Sequence, residues 1–171
     1  MDLSTFQLMA RYNIWATQRL NTALNEVADD DFSKDCGLFF QSIEGTLNHL
    51  LIGEHYLWFA RFSEGKSPVL ALNTIVTSDR GQLTKMLVEK AQNWPVFLEN
   101  LDVAQVGHWL NYTTSTGQEM SLPYWATLQH VFNHGTHHRG QITAALTAMG
   151  YACPELDLVY MLVEENPSHQ A

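Results

Sequence analysis

Histidines are the residues of this chain whose type and spacing could do chemistry. Of the eight in 171 residues, six fall into two groups, His49 and His55 in one and His130, His134, His137 and His138 in the other. On a helix, residues i and i+4 lie on one face with their Cβ atoms about 5–6 Å apart. His134 and His138 can therefore direct two imidazole nitrogens at one ion. Eight histidines produce such a pair by chance often enough that the spacing alone is a weak motif.

The third candidate ligand is His49, which lies in an almost wholly apolar segment where a polar side chain needs a partner. Gly45 and Gly53 lie one turn to either side of it, and each glycine inside a helix costs about 0.5–1 kcal/mol relative to alanine. Gly135 and Gly140 repeat the pattern beside the later histidine pair. These glycines favour close helix packing or free space beside the rings. We therefore predict a site formed by His49 and that pair.

Three neutral imidazoles suit a divalent metal ion, zinc or nickel first and iron as the alternative, with further positions left to water. No carboxylate ligand is evident in the pattern, so the ion would keep its charge and activate a water or a thiol. A metalloprotease needs a glutamate directly after the first histidine of HExxH, but Gly135 follows His134. A di-iron bundle needs a glutamate three residues before a histidine, and the chain has none.

The other histidines have simpler interpretations. His130 lies one turn before the pair and is interpreted as a packed or pocket histidine, with a supporting role beside the metal as the alternative. His137 is rotated by about 60° from the pair and is expected to be exposed or at a helix contact. His55 lies off the face of His49, and His108 and His169 have no partner pattern.

Four further polar residues are weaker candidates for the surroundings of the site. Asn13 lies on the apolar stripe of the first helix, where a polar group bonds to a neighbouring helix or lines a pocket. Arg139 and Gln141 flank the histidine pair, and a polar contact between helices is the default for both, with substrate binding as the alternative. Tyr56 is the remaining candidate.

Apolar residues at helical spacing predict four long helices to position these side chains. They cover about residues 3–27, 42–62, 78–101 and 121–150, and a short final helix covers about 155–165. Ser78 is a plausible N-cap of the third helix, and Pro95 should kink or interrupt it. Residues 105–120 predict a loose hairpin before the last long helix. The fold class is all-α, a four-helix bundle.

Composition limits the class of protein further. The 171 residues are 46% apolar, which suits one globular domain over residues 1–171. Cys36 and Cys153 lack metal-site spacing and are interpreted as reduced thiols. The net charge of −9 argues against nucleic acid as a partner, and no apolar run is long enough to predict a membrane span. With no signal-peptide pattern, we expect a cytoplasmic protein.

Several segments resemble the DinB family. The run HVFNHGTHHRGQITAALTAMG, residues 130–150, contains the family hallmark HxxxHRGQ. RYNIWATQRL at 11–20 and NHLLIGEHYLW at 48–58 are similar to its first and second helices, and the tail PELDLVYMLVEE also fits. These segments occur in family order over nearly the whole chain, and residues 63–120 contribute little.

The resemblance implies a more specific fold and function. The family's metal-binding histidines map onto His49, His134 and His138. Its helices run up-down-down-up, and members commonly form homodimers. Some relatives are metal-dependent transferases or isomerases that use low-molecular-weight thiols such as bacillithiol, mycothiol or glutathione, and many have no known activity. We expect a metal-dependent enzyme, thiol transferase-like or hydrolase-like, acting on a small molecule. The alternative is a non-catalytic, stress-associated module braced by its metal.

Overall fold

The computed structural model describes residues 3–167, so His169 lies outside the described residues and the single domain over 1–171 stays a prediction. The elements are α1 Ser4–Leu24, α2 Asp29–Ser33, α3 Ile43–Leu50, a π-helical segment Leu51–Trp58, α4 Phe59–Glu64, α5 Arg80–Ala91, α6 Asn93–Glu99, α7 Val103–Val106, β1 Trp109–Thr113, β2 Glu119–Pro123, α8 Tyr124–Ala148 and α9 Leu158–Glu165. No helix among the described residues is both long and apolar enough to cross a membrane.

The second long helix is continuous from α3 through the π-helical segment to α4. It begins where the Ser42 hydroxyl accepts a hydrogen bond from the backbone N–H of Gly45 at 3.0 Å, which satisfies a free donor of the first turn. It ends at Gly65, whose φ of +71° is a left-handed conformation that glycine adopts at no steric cost. The predicted helix over 42–62 is confirmed, but the π-helical geometry of its middle was not predicted.

The third long helix is divided into α5 and α6. Pro95 has no backbone N–H to donate to the carbonyl of Ala91, so the α-helical ladder is interrupted there as predicted. The predicted N-cap was wrong by one residue. Asp79 caps α5 instead of Ser78, because its carboxylate accepts from the backbone N–H of Gln82 at 2.7 Å.

The predicted hairpin before the last long helix is confirmed. Strands β1 and β2 pair antiparallel, with Trp109 opposite Pro123 and Thr113 opposite Glu119. Ser121 belongs to β2, so the last long helix starts at Tyr124, three residues later than expected. The predicted final helix is present as α9, whereas α2 had no counterpart among the predicted elements.

Contacts at the helix ends establish the direction of each long helix. The guanidinium of Arg80, at the start of α5, donates to the carbonyl of Leu24, the last residue of α1, and to that of Val27 just after it. Asn48 near the start of the second helix accepts from the backbone N–H of Val76, close to the same end of α5. The hydroxyl of Tyr151, just after α8, accepts from the N–H of Ala28, just after α1. The second and third helices therefore run together, opposite to α1 and α8, and the up-down-down-up bundle is confirmed.

Besides a small cluster of Tyr12, Ala16 and Met161 between α1 and α9, the buried apolar side chains form two large clusters, one at each end of the bundle. Aromatic residues such as Trp94 and Phe132 dominate the cluster beside the hairpin, and aliphatic residues such as Leu51 and Ile142 dominate the other. Between the clusters lies a layer of buried polar side chains, Asn13, His49, Glu54, His55, His138 and Arg139. Buried polar groups need partners, so the contacts within this layer are the first place to look for a functional site.

Candidate metal centre

The structure brings the three predicted ligands together. His49 lies on α3, and His134 and His138 lie one turn apart on α8. One ligand atom from each lies within 4.8 Å of the other two. The Nε2 atoms of His49 and His134 are 3.0 Å apart, and the ring centroids of His134 and His138 are 4.4 Å apart. That these three residues hold an ion stays a prediction.

The opposite nitrogen of each ring has its own neighbour. Nδ1 of His49 lies 3.0 Å from the carbonyl oxygen of Leu72, and Nδ1 of His138 lies 2.7 Å from Oε1 of Gln141. Nδ1 of His134 faces Oε1 of Glu54 at 3.7 Å. These oxygens are acceptors, and a proton on each Nδ1 would leave the lone pair of each Nε2 directed at the centre.

Three converging lone pairs fit a divalent cation. Nitrogen atoms bound to one zinc ion at about 2.0–2.1 Å lie roughly 2.9–3.4 Å apart at angles between 90° and tetrahedral, which includes the 3.0 Å separation of His49 and His134. Ligating histidines in proteins usually donate their other ring N–H to a carbonyl or carboxylate, as these rings are placed to do. Among residues 3–167, no carboxylate or thiol joins the group of three, which leaves coordination positions for a small molecule.

Burial keeps two of the rings uncharged. His49 and His138 are 5% and 7% exposed. Desolvation by burial lowers the pKa of His49, and it lowers the pKa of His138 to about 4. Both imidazoles are therefore neutral at pH 7, which is the form that binds a metal.

Glu54 is the functional residue that the sequence prediction missed. It is 2% exposed, and its Oε2 accepts from Nδ2 of Asn13 at 3.1 Å. Glu54 follows His49 by five residues, so in an α-helix the two side chains would lie about 140° apart around the axis. A π-helix bonds residues five apart and so brings them to one side. The available signal was a glutamate inside an apolar segment, which requires a buried partner.

Arg139 completes the polar network around Glu54. It is 2% exposed, and its Nη1 donates to Oδ1 of Asn13, so the contact between helices predicted for both residues is confirmed. Burial by itself raises the pKa of Glu54, but the close approach of His134 and the nearby charges outweigh it and hold that pKa below its ordinary value. Glu54 is therefore a carboxylate at neutral pH.

The glycines beside the histidines have different roles. A Cβ on Gly53 would lie 3.2 Å from Cε1 of His134, and a Cβ on Gly45 would collide with the carbonyl of Phe40. At Gly135 a Cβ would collide with Oε1 of Glu54. Close packing, one of the two predicted alternatives, is therefore present at three positions. Gly140 shows the other alternative, free space, because a Cβ there would meet no atom within 4 Å.

Phe40 covers one side of the centre. Its ring stacks on His49 with centroids 3.7 Å apart and meets the edge of His138 at 5.8 Å. A cavity of about 500 Å³ lies beside it, with Phe39 and Leu72 in its wall. Phe40 is in the loop before α3, where no helical spacing could have pointed to it.

The other candidate residues lie outside the group of converging nitrogens. His130 is exposed, with its ring 5.7 Å from that of His134. His137 is exposed, as predicted. Tyr56 packs with the aliphatic cluster, away from the three histidines. The default interpretation of Gln141 as a helix-to-helix contact was wrong, because it bonds to His138 within α8.

Comparison with known proteins agrees with this geometry. The model of the DinB family matches residues 1–168. The chain is similar to Protein DinB of Bacillus subtilis (strain 168), with 29% identity over 153 residues that cover 85% of this chain and 87% of the relative. Its fold is similar to the solved structure of YfiT from Bacillus subtilis, described as a probable metal-dependent hydrolase with an unusual four-helix bundle topology. The TM-score is 0.67 at 15% identity, covering 89% of this chain and 91% of YfiT.

Proposed function

This chain belongs to the DinB family, and we propose that it is a metal-dependent enzyme whose ion activates a small nucleophile, either water or a thiol. His49, His134 and His138 hold the ion. The observation that carries the proposal is the convergence of these three side chains, each with its Nδ1 facing a separate oxygen, without a fourth protein ligand among residues 3–167. A three-histidine set with open positions is typical of catalytic sites, whereas structural sites are closed by four protein ligands.

The side chains of the centre have distinct tasks in this proposal. A bound divalent ion supplies Lewis acidity, which lowers the pKa of a water or thiol that joins it. The carbonyl of Leu72, Glu54 and Gln141 orient the three rings so that their Nε2 lone pairs meet at one point. The buried layer beneath excludes water from the inner side, so a substrate approaches from the partly exposed side of His134.

Water and thiol remain two branches of one mechanism. YfiT is described as a probable metal-dependent hydrolase, which favours water, and the DinB resemblance includes thiol transferases, which favours a low-molecular-weight thiol. Zinc or nickel is the proposed ion, because neutral imidazoles suit both. The homodimer and the cytoplasmic location stay predictions.

A second candidate is a non-catalytic module in which the metal braces the second helix against α8. The cover of Phe40 over His49, at 3.7 Å between ring centroids, favours it because covered sites are often structural. This candidate predicts a large loss of melting temperature on chelation and no turnover. The open coordination positions favour the enzyme.

The test is metal-dependent turnover in matched variants. Metal-free protein is reloaded with zinc, nickel or ferrous iron, and two rates are measured for each: hydrolysis of an activated ester, and conjugation of a small thiol to an electrophile. We expect one of these rates to fall at least about 100-fold in His134→Ala and to persist in His137→Ala, the exposed neighbour. Equal rates in both variants, or no metal-dependent rate in either assay, would overturn the proposal.

A further inference from the structure

Arg61 is a cation held between two aromatic rings. Its guanidinium carbon lies 4.3 Å from the ring centroid of Trp58 and 4.4 Å from that of Tyr112 in β1. Its Nε donates to the hydroxyl of Ser67 at 2.9 Å. Cation–π contacts on this scale stabilise an arginine in one orientation. The guanidinium is therefore fixed in place before any ligand arrives.

The charge of Arg61 has no acidic partner among the described residues. Six of the nine lysines and arginines pair with carboxylates, namely Arg11, Arg19, Lys34, Lys66, Arg80 and Lys85. Arg139 lies beside the Asn13–Glu54 pair inside the bundle. The two terminal amino groups of Arg61 make no hydrogen bond to another residue in the part of the chain that the structure describes. In a chain of net charge −9, an oriented arginine without a carboxylate is available to an external anion.

A row of ring contacts connects Arg61 to the candidate metal centre. The ring of His130 lies 5.7 Å from that of His134 and 5.2 Å from that of Trp58. Trp58 in turn lies under Arg61. Arg61 is thus at the hairpin end of a surface that begins at a predicted metal ligand.

We infer that Arg61 is the receptor for a carboxylate on the substrate or thiol whose reactive end reaches the three-histidine centre. This inference rests on the proposed function and adds the chemical class of its ligand. A guanidinium presents two parallel N–H donors that match a carboxylate, and such charge-assisted pairs are stronger than neutral hydrogen bonds. The aromatic walls reduce the conformational freedom that binding would otherwise remove.

A purely structural role makes a different prediction. Arg61 also joins α4 to β1 by lying between Trp58 and Tyr112. If that were its whole role, substitution would lower the melting temperature without changing which ligands bind. The discriminating quantity is therefore the preference for a carboxylate over a neutral group of the same size.

The experiment uses the full chain loaded with cobalt(II), whose visible spectrum reports a thiol at the ion. Straight-chain ω-mercaptocarboxylates of increasing length are titrated in parallel with the matching ω-mercaptoalcohols, and dissociation constants are measured calorimetrically as well. We expect the carboxylate to bind about tenfold more tightly than the alcohol at one chain length, the scale of a charge-assisted hydrogen bond. Arg61→Met should abolish this preference. Lys66→Gln, which removes a nearby exposed charge paired with Glu64, should keep it.

Each outcome separates the inference from the proposed function. Equal binding of acid and alcohol by the wild type, or a preference that survives Arg61→Met, overturns the role of Arg61 and leaves the metal centre standing. Failure of both probes to bind the loaded protein overturns the inference, and the turnover assays then decide the water branch of the proposed function separately. If Arg61→Met does not fold, Arg61→Lys is the test variant, because it keeps the charge but loses the paired donors. An undiminished preference in Arg61→Lys contradicts the inference.

Discussion

Oε1 of Glu54 lies 3.7 Å from Nδ1 of His134, and neither atom has a hydrogen-bond partner in the part of the chain that the structure describes. Both atoms are buried, and the other oxygen of Glu54 is held by Asn13 of α1. A carboxylate behind a ligating histidine fixes the orientation of the ring and raises its basicity. Through this contact, α1 and the π-helical segment lie behind His134, a predicted ligand on α8.

Replacing Glu54 should weaken metal binding. In Glu54→Gln, His134 loses the negative charge behind its ring, and we expect zinc affinity to fall about 10–100-fold. Competition with a chromophoric chelator measures this, on protein shown to be folded by circular dichroism. Glu64→Gln is the control, because Glu64 is exposed and pairs only with Lys66 at 3.5 Å among described residues. Equal affinities of the two variants would contradict the role of Glu54.

Gln141 should support His138 in the same way. Gln141→Leu removes the acceptor that lies 2.7 Å from Nδ1 of His138, and we expect about a tenfold weaker zinc affinity. The matched control is Gln129→Leu, an exposed position on the same helix. Calorimetric titration of both variants with zinc measures the two affinities. If Gln141→Leu binds zinc as tightly as the control, the ring of His138 does not depend on this contact.

Two glycines of α8 should respond in opposite directions to alanine. At Gly135 a Cβ would collide with Glu54 and come within 3.0 Å of the side chains of Arg139 and Asn13. We expect Gly135→Ala to lower the free energy of unfolding by about 1–3 kcal/mol. Gly140→Ala should raise it by up to about 1 kcal/mol, because the space is open and alanine favours the helix. Urea unfolding measures both, and a stabilised Gly135→Ala would disprove the close packing.

His55 should make stability depend on pH. Burial lowers its pKa from 6.5 to about 4, so the unfolded chain binds a proton in this range that the folded chain does not. Its contribution is present above pH 6.5 and is lost as the pH falls towards 4. At pH 5 the loss is about 2 kcal/mol.

The measurement for His55 compares two metal-free proteins. Unfolding free energies of the wild type and His55→Gln are determined at pH 7.5 and pH 5 with a chelator present, so that the other histidines contribute equally to both. We expect the difference between the two pH values to be smaller in His55→Gln. An identical difference in both proteins would show that His55 is not a buried neutral histidine.

The sequence predicted that His49, His134 and His138 would lie together, because the three histidines are in regular helical segments. His134 and His138 are in an α-helix, where the spacing of four applies directly, and His49 is in α3, before the π-helical segment begins. The same reasoning missed Glu54, because a period of 3.6 residues places it on another face. Nothing in the local sequence distinguishes π-helical from α-helical geometry here. The segment packs against α5 and α8, which are distant in the sequence.

Contacts made by loops were also beyond the sequence. Phe40 reaches His49 from a turn in which Gln41 has a φ of +69°, an uncommon conformation for a residue other than glycine. The carbonyl of Leu72 reaches the same ring from the connection between α4 and α5. Both contacts depend on the path of a loop, which no periodicity encodes. The interruption of the third helix was predictable, since Pro95 removes a backbone donor.

The most direct test is a crystal structure of the zinc- or nickel-loaded protein, with anomalous diffraction recorded above and below the absorption edge of that metal. The account predicts one anomalous peak per chain within about 2.0–2.2 Å of Nε2 of His49, His134 and His138. It also predicts at least one coordination position without a protein ligand. A peak at His130 or His137 instead, or no peak at the three histidines in protein that retains one ion per chain, would contradict it.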